Sequence, residues 1–198
     1  MNTHTFGAKP AVLRCARCGK FVDWADARVQ IICDCRPHMD LPPVFVREVT
    51  AGERVEVLAL FERDFGGAHI VAFGEMMDLG AAPALVAEMN GEVAGALAYQ
   101  PLDSALRIIA LATDPMWQRS GVGGYLLAEA ELLARRLRLT RLAVSTTNDN
   151  LPALYFYQRR GYRLSEAVPN GVSKYVPQHA GFGGIPVRDE IRLEKHLE

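Results

Sequence analysis

No apolar run in these 198 residues approaches the roughly 20 needed to cross a bilayer, which excludes a membrane-spanning helix. The N-terminal segment lacks a basic stretch followed by an apolar core, so no signal peptide is expected. Excess charge of one sign is missing as well. The 22 Lys and Arg nearly balance 23 Asp and Glu, and a net charge of −1 creates no field to gather nucleic acid or a membrane surface. There is no internal repeat and no low-complexity tract. Cysteine is absent beyond residue 35, and the five histidines fall at no metal or catalytic spacing. These absences leave a soluble, cytoplasmic protein without a membrane or nucleic-acid partner as the expectation, with a homodimer left open. A hydrophobic content of 49% is enough for one full core plus a small module.

What cysteine there is lies close together. Cys15-x2-Cys18 and Cys33-x-Cys35 are separated by 14 residues, a spacing at which four sulfurs can close on Zn2+ tetrahedrally. Gly19 suits the tight turn of such a knuckle, and Phe21–Trp24 with Arg28–Ile32 read as a short hairpin between the pairs. So short a segment gains its stability from metal or cross-links rather than burial. Disulfides, disfavoured in a reducing compartment, and free thiols are the alternatives. His38 is a substitute ligand or a solvated loop residue. Pro37 to Pro43 reads as a linker, giving a zinc-ribbon-like segment over 1–43 and a second domain over 44–198.

In that second domain, residues 44–49 predict a strand. Thr50 and Glu53 form a capping-box pair ahead of a helix that ends at Gly66-Gly67. Residues 70–77 read as one further strand. Asn90-Gly91 between two apolar runs is a hairpin signal. Residues 107–113 follow as the next antiparallel neighbour. A helix then intervenes before the strand at 141–146, so those two strands should be parallel. Arg163–Val168 predicts another strand, residues 169–184 a loop, and the alternating tail an edge strand. In that tail Val187, Asp189, Ile191 and Leu193 share an apolar face opposite Arg188, Glu190, Arg192 and Glu194.

The densest signal is the stretch Gln118-Arg119-Ser120-Gly121-Val122-Gly123-Gly124, between the 107–113 strand and a helix with an apolar stripe at Val122, Leu126, Leu127, Ala130, Leu133, Ala134 and Leu137. Glycines there let a ligand approach the backbone, and the first N–H groups of a helix have no internal partner and favour an anion. No Lys-Ser or Lys-Thr follows, which excludes a P-loop, and Leu126 stands where a dinucleotide fingerprint needs glycine. Gln118, Gly121 and Gly123 instead resemble the pyrophosphate loop of the GCN5-related N-acetyltransferases (GNAT), Gln/Arg-x-x-Gly-x-Gly/Ala. Asn150, Ala153, Phe156, Tyr157, Gly161 and Tyr162 then follow in that family's later pattern, and the likeness spans residues 45 to 198.

The resemblance implies an α/β (α+β) fold with a mixed, mostly antiparallel sheet and a central pair of parallel strands that splay apart. It further implies that acetyl-CoA is bound by Leu111, Ala112 and Thr113 along the first of those strands, by residues 118–124 at the glycine loop, and by Asn150 and Tyr157. Tyr157 would protonate the leaving thiolate, the alternative being that it only packs. Asn150 would bond the cofactor or merely cap a helix. Gln118 and Ser120 are neutral where many members carry a basic residue, partly offset by Arg119. Glu75, Asp78, Asp103 and Asp189 are the carboxylates from which a base could come. Asp189 is singled out because burial on an apolar face would raise its pKa; a water chain is the alternative. Glu62, Asp64, Glu75 and Asp78 give the acceptor side a mild acidic bias, which suits a cationic amine on a small molecule or a protein. The competing reading is a non-catalytic acyl-CoA-binding module whose ribbon docks a protein or nucleic-acid partner.

Overall fold

The computed structural model describes residues 42–177 and 179–197, together with the backbone of two short N-terminal strands. The chain divides into two compact units, residues 1–41 and 42–198. In the first, β1 (Leu13–Arg14) pairs antiparallel with β2 (Phe21–Val22), Leu13 opposite Val22 and Arg14 opposite Phe21. The expected pairing of this segment with residues 28–32 lies outside the described residues, as do Cys15, Cys18, Cys33 and Cys35.

The second unit is built on β3 (Phe45–Glu48), β6 (Ala84–Met89), β7 (Glu92–Leu102), β8 (Ala105–Thr113), β9 (Arg141–Thr147), β10 (Arg163–Val168) and β11 (Glu190–His196). They form one sheet in the order β10-β11-β9-β8-β7-β6-β3, in which β8–β9 is the parallel pair and every other pair is antiparallel. The crossover between β8 and β9 is α2 (Val122–Arg136). Its buried residues are the expected stripe from Val122 to Ala134, while Leu137 falls past the last turn and is exposed.

Alternation along the strands assigns the two faces. Gly95 on β7 packs so closely on α2 that a Cβ there would lie 2.7 Å from Val122 Cγ1 and 2.9 Å from the Ala112 carbonyl oxygen. The intervening residues Val86, Ala96, Ala98, Ala110 and Ala112 face the other way and make a core with Val57, Leu60 and Phe61 of α1 (Arg54–Phe65). Short alanines along the central strands admit the helix close to the sheet. The start of α1 is fixed as the sequence indicated: Glu53 accepts from the Thr50 N–H at 2.9 Å and the Thr50 hydroxyl at 2.6 Å, and also binds Arg47.

Residues 70–77 are not one strand. β4 (His69–Ala72) turns through Phe73 (φ 56°) and Gly74 (φ 76°) into β5 (Glu75–Asp78), a separate hairpin over the α1 face of the sheet. A two-residue turn with both φ positive matches the twist of a hairpin, and phenylalanine at the first position hid it from a composition-based reading. Among the described residues no helix is long and apolar enough to cross a membrane.

Candidate active site

β8 and β9 are hydrogen-bonded neighbours only from Ala105 opposite Arg141 to Ile108 opposite Val144. Beyond that pair β8 runs on to Thr113 and β9 to Thr147 with nothing between them, so the sheet opens into a gap. A bulge sits at the opening. Tyr99 pairs with Ile108 and Ala98 with Ala110, leaving Ile109 as the extra residue that bends β8 away from β9. Asp114 N–H bonds Ala94 O at 2.9 Å on the β7 side. Strand alternation then turns the backbone groups of Ala112 toward β7 and those of Leu111 and Thr113 into the gap. Of the three expected strand contacts, the outer two turn their backbone there and the middle one does not, and the Thr113 carbonyl also accepts from Arg63 Nη2 at 3.5 Å.

The glycine loop stands at the wide end of this gap. Asp114 caps the turn after β8 by accepting from Met116 N–H, and Arg63 of α1 holds the same carboxylate at 2.9 Å. Arg119 (φ 65°) and Gly121 (φ 96°) both adopt left-handed backbone, which lifts the loop over the end of α2. Gly124 and Tyr125 donate to Gly121 O, whereas Val122 and Gly123 open the helix and have no intrahelical acceptor by position. Gly123 is needed for a second reason: a Cβ there would lie 3.1 Å from Phe156 Cζ and 3.4 Å from Leu111 Cδ2. Ser120 is buried, and both its hydroxyl and its backbone N–H donate to Trp117 O, so neither is open to a ligand. Gln118 and Arg119 are exposed. Arg160, stacked 3.8 Å over the Phe156 ring, brings its guanidinium within 3.3 Å of where a Gly124 Cβ would sit, so a cation does border this loop from α3 (Leu151–Gln158).

Tyr157 is buried on α3, edge-on to Phe156 at 5.2 Å and to Tyr162 at 5.4 Å. Its hydroxyl makes no hydrogen bond among the described residues. Burial pushes its pKa well above the ordinary phenol value, with Arg160 pulling weakly the other way, so the hydroxyl stays protonated. Asn150 caps α3, its Oδ1 accepting from Ala153 N–H at 3.2 Å.

Asp189 does not behave as the sequence suggested. It precedes β11 rather than lying within it, Asn170 N–H donates to it at 2.8 Å and Arg188 Nε at 2.9 Å, and its pKa is lowered by these bonds rather than raised. The buried carboxylate is its neighbour Glu190, 1% exposed, bonded by Ser145 Oγ at 2.6 Å and Arg192 at 2.9 Å. Burial alone would raise its pKa, but Arg192 and Ser145 outweigh that and lower it. The alternation read from Val187 to Leu193 breaks because Asn148 Oδ1 accepts from both Arg188 and Asp189 N–H, turning the chain just before β11 begins. Next to it Asp149 accepts from Phe182 N–H and lies where a Cβ on Gly181 would be, which ties down the segment after β10. Asn148, Asp149 and Glu190 carried no sequence signal, since a turn of Asn and Asp is ordinary and Glu190 alternates with arginines.

The acidic bias of the acceptor side is largely spent on structure: Asp64 pairs with Arg63, and Asp78 accepts from Gly80 N–H. Among the described residues no group of His, Cys, Asp and Glu could hold a metal.

A family model described as acetyltransferase (GNAT) family matches residues 54–162. Two curated proteins of Bacillus subtilis (strain 168), the uncharacterized proteins YdhI and YxbD, are each 36% identical to the chain, over 115 and 114 residues, covering 55% of this chain and 70% of each relative. Among solved structures, the IAA acetyltransferase from Bacillus cereus ATCC 14579 superposes with a TM-score of 0.63 at 24% identity over 78% of this chain and 100% of its own. A GNAT family acetyltransferase from Elizabethkingia anophelis with acetyl-CoA bound gives the same score and identity over 78% and 98%. The strand pair that parts at Ile108 and Val144, the loop through Gly121 and Gly123, and a match over more than half of its length place this chain in the GNAT family of acetyltransferases.

Proposed function

We propose that the protein is an acetyl-CoA-dependent N-acetyltransferase for a primary amine. The observation that carries this reading is the gap between β8 and β9, which opens at one end onto the glycine loop at the start of α2. The Elizabethkingia relative holds acetyl-CoA in the same fold. The diphosphate of the cofactor would rest on the backbone of residues 118–124 and the first turn of α2, a contact worth about 0.3–1 kcal/mol per charge and up to about 2 where water is excluded. The pantetheine arm would lie along Leu111 and Thr113 as an added strand.

In the reaction the neutral amine attacks the thioester carbonyl carbon directly. The C–N bond forms as the C–S bond breaks, the amine gives up a proton to a base or to water, and the sulfur takes one from Tyr157. The Thr113 N–H is suitably placed for the developing oxyanion. A free phenol near pKa 10 is a weaker acid than a thiol near 8.5, and burial pushes the Tyr157 phenol further up, so the transfer depends on the leaving thiolate being destabilised in the same buried site. The test is thiol release from acetyl-CoA with a panel of amines. Release that depends on an amine supports the reading; tight binding with no turnover on any amine would favour an acyl-CoA-binding module.

We also propose that Cys15, Cys18, Cys33 and Cys35 hold a structural Zn2+, on the strength of their spacing and of the reversal between residues 14 and 21. About one equivalent of zinc in protein purified without added metal is expected, and well under one equivalent overturns it.

A further inference from the structure

On the α1 face of the sheet, one step below the mouth of the gap, is a cluster that acetyl-CoA binding does not use. Arg107 is the residue before Ile108, at which the parallel pairing ends, and it stands opposite Gln100 on β7 and Ala143 on β9. Arg192 on β11 is paired with Ser145, two residues along from Ala143 and on the same face. The tip of the β4–β5 hairpin covers both: the Phe73 ring centroid lies 4.8 Å from the Arg107 guanidinium and 6.0 Å from that of Arg192. Tyr175 reaches in to hold Gly74 O.

Each of the two arginines keeps one buried nitrogen without a hydrogen bond, Nη1 of Arg107 and Nε of Arg192, but they differ in the carboxylates they hold. Arg192 has Glu166 at 2.6 Å and Glu190 at 2.9 Å. Arg47 and Arg63 likewise hold carboxylates at hydrogen-bond distance. Arg107 is held more loosely: its carboxylate is that of Glu75, paired at 3.8 Å and mostly exposed. Arg107 Nη1 is buried without a hydrogen-bond partner, and so is Gln100 Oε1 across from it. A guanidinium N–H taken out of water with no hydrogen bond is unfavourable, and a ligand that accepts from it would complete it.

We propose that the acceptor amine carries a carboxylate on a short spacer, and that Arg107 is the residue that binds it. The proposal rests on the transferase reading given above and names its substrate class. A guanidinium presents a planar fork that matches a carboxylate in two parallel bonds, which a lysine cannot reproduce. One residue along β8 is about 3.3 Å, so a carboxylate seated on Arg107 leaves an amine on the same or a neighbouring carbon at the mouth of the gap, where the thioester would lie. Entry of the acceptor requires the Phe73–Gly74 tip to yield, and the hairpin is a two-stranded sheet of its own.

The experiment compares, with the full chain and saturating acetyl-CoA, the free L-amino acids with their α-amides and their decarboxylated amines. The wild type should favour the carboxylate member of its best set by about 10- to 100-fold in kcat/KM. In Arg107→Gln that ratio should fall to about 1 through loss of the carboxylate form alone, with Arg107→Lys in between and the affinity for acetyl-CoA unchanged in both. The wild-type ratio needs no variant to fold. Amides or simple amines acetylated as well as the acids by the wild type would overturn the proposal while leaving the transferase intact. Acetylation of no amine at all would overturn the transferase reading and this one with it.

Discussion

The two faces of the central sheet were built under different rules. On the α2 face, the cofactor-side elements are specified by backbone: glycines at 95 and 123 where a Cβ would press on its neighbours, positive φ at 119 and 121, and amides left open at a helix start. On the α1 face the polar groups are side chains, Gln100, Arg107, Ser145, Glu190 and Arg192, gathered from four strands and roofed by a hairpin tip. A backbone site is tied to local sequence spacing, whereas a side-chain site depends on which strands meet. The first is suited to holding one fixed ligand and the second to varying what that ligand reacts with.

That contrast can be broken by substitution, and the largest effect is expected on the side-chain face. Glu190→Ala leaves Arg192 buried beside Ser145 with half its partners and should cost about 3–5 kcal/mol in denaturant unfolding. A loss below about 1 kcal/mol would mean that the pair is solvated. The pH dependence has a definite sign. Glu190 titrates below its ordinary 4.5 in the fold, so it contributes stability above that value that is lost as the pH falls toward the lowered native one. Glu190→Gln should flatten this acid limb.

On the opposite face, Tyr157→Phe should lower kcat by about 100-fold and leave stability and acetyl-CoA affinity nearly unchanged, since its hydroxyl makes no bond among the described residues. An unaltered rate would reduce Tyr157 to packing. Gly95→Ala forces a methyl against Val122 and Ala112 O and should cost about 1–3 kcal/mol, displacing the start of α2 and weakening acetyl-CoA binding together. Stability lost without any change in binding would uncouple that packing from the loop. The smallest effect is expected for Asn150→Ala, about 1 kcal/mol from the lost cap of α3.

The same contrast explains what could be read in advance. The parallel pair, the α2 stripe, the capping box at Thr50 and Glu53, and the turn at Asn90-Gly91 are short-range patterns, and each stands as expected. Gly121 and Tyr157 belong to spaced motifs that survive without the fold. The misreadings lie where distant segments decide. Asn148, far from β11 in sequence, turns the chain at Asp189 and so puts Glu190 rather than Asp189 inside. Phe73 and Gly74 fold one expected strand into a hairpin that adds Ala72 and Met77 to the α1-side core and whose tip covers residues from β8 and β11. Arg107 looks in sequence like the first polar residue of an apolar strand, and the missing hydrogen bond at its Nη1 is apparent only once its neighbours are in place.

Hydrogen exchange read by mass spectrometry, on the full chain with and without acetyl-CoA, asks most directly whether the gap and the glycine loop form a single binding surface. The account predicts slowed exchange in both residues 109–113 and residues 118–125 when acetyl-CoA is present, with β3 and β10 at the sheet edges unchanged. Exchange unaltered in either segment at saturating acetyl-CoA would contradict it.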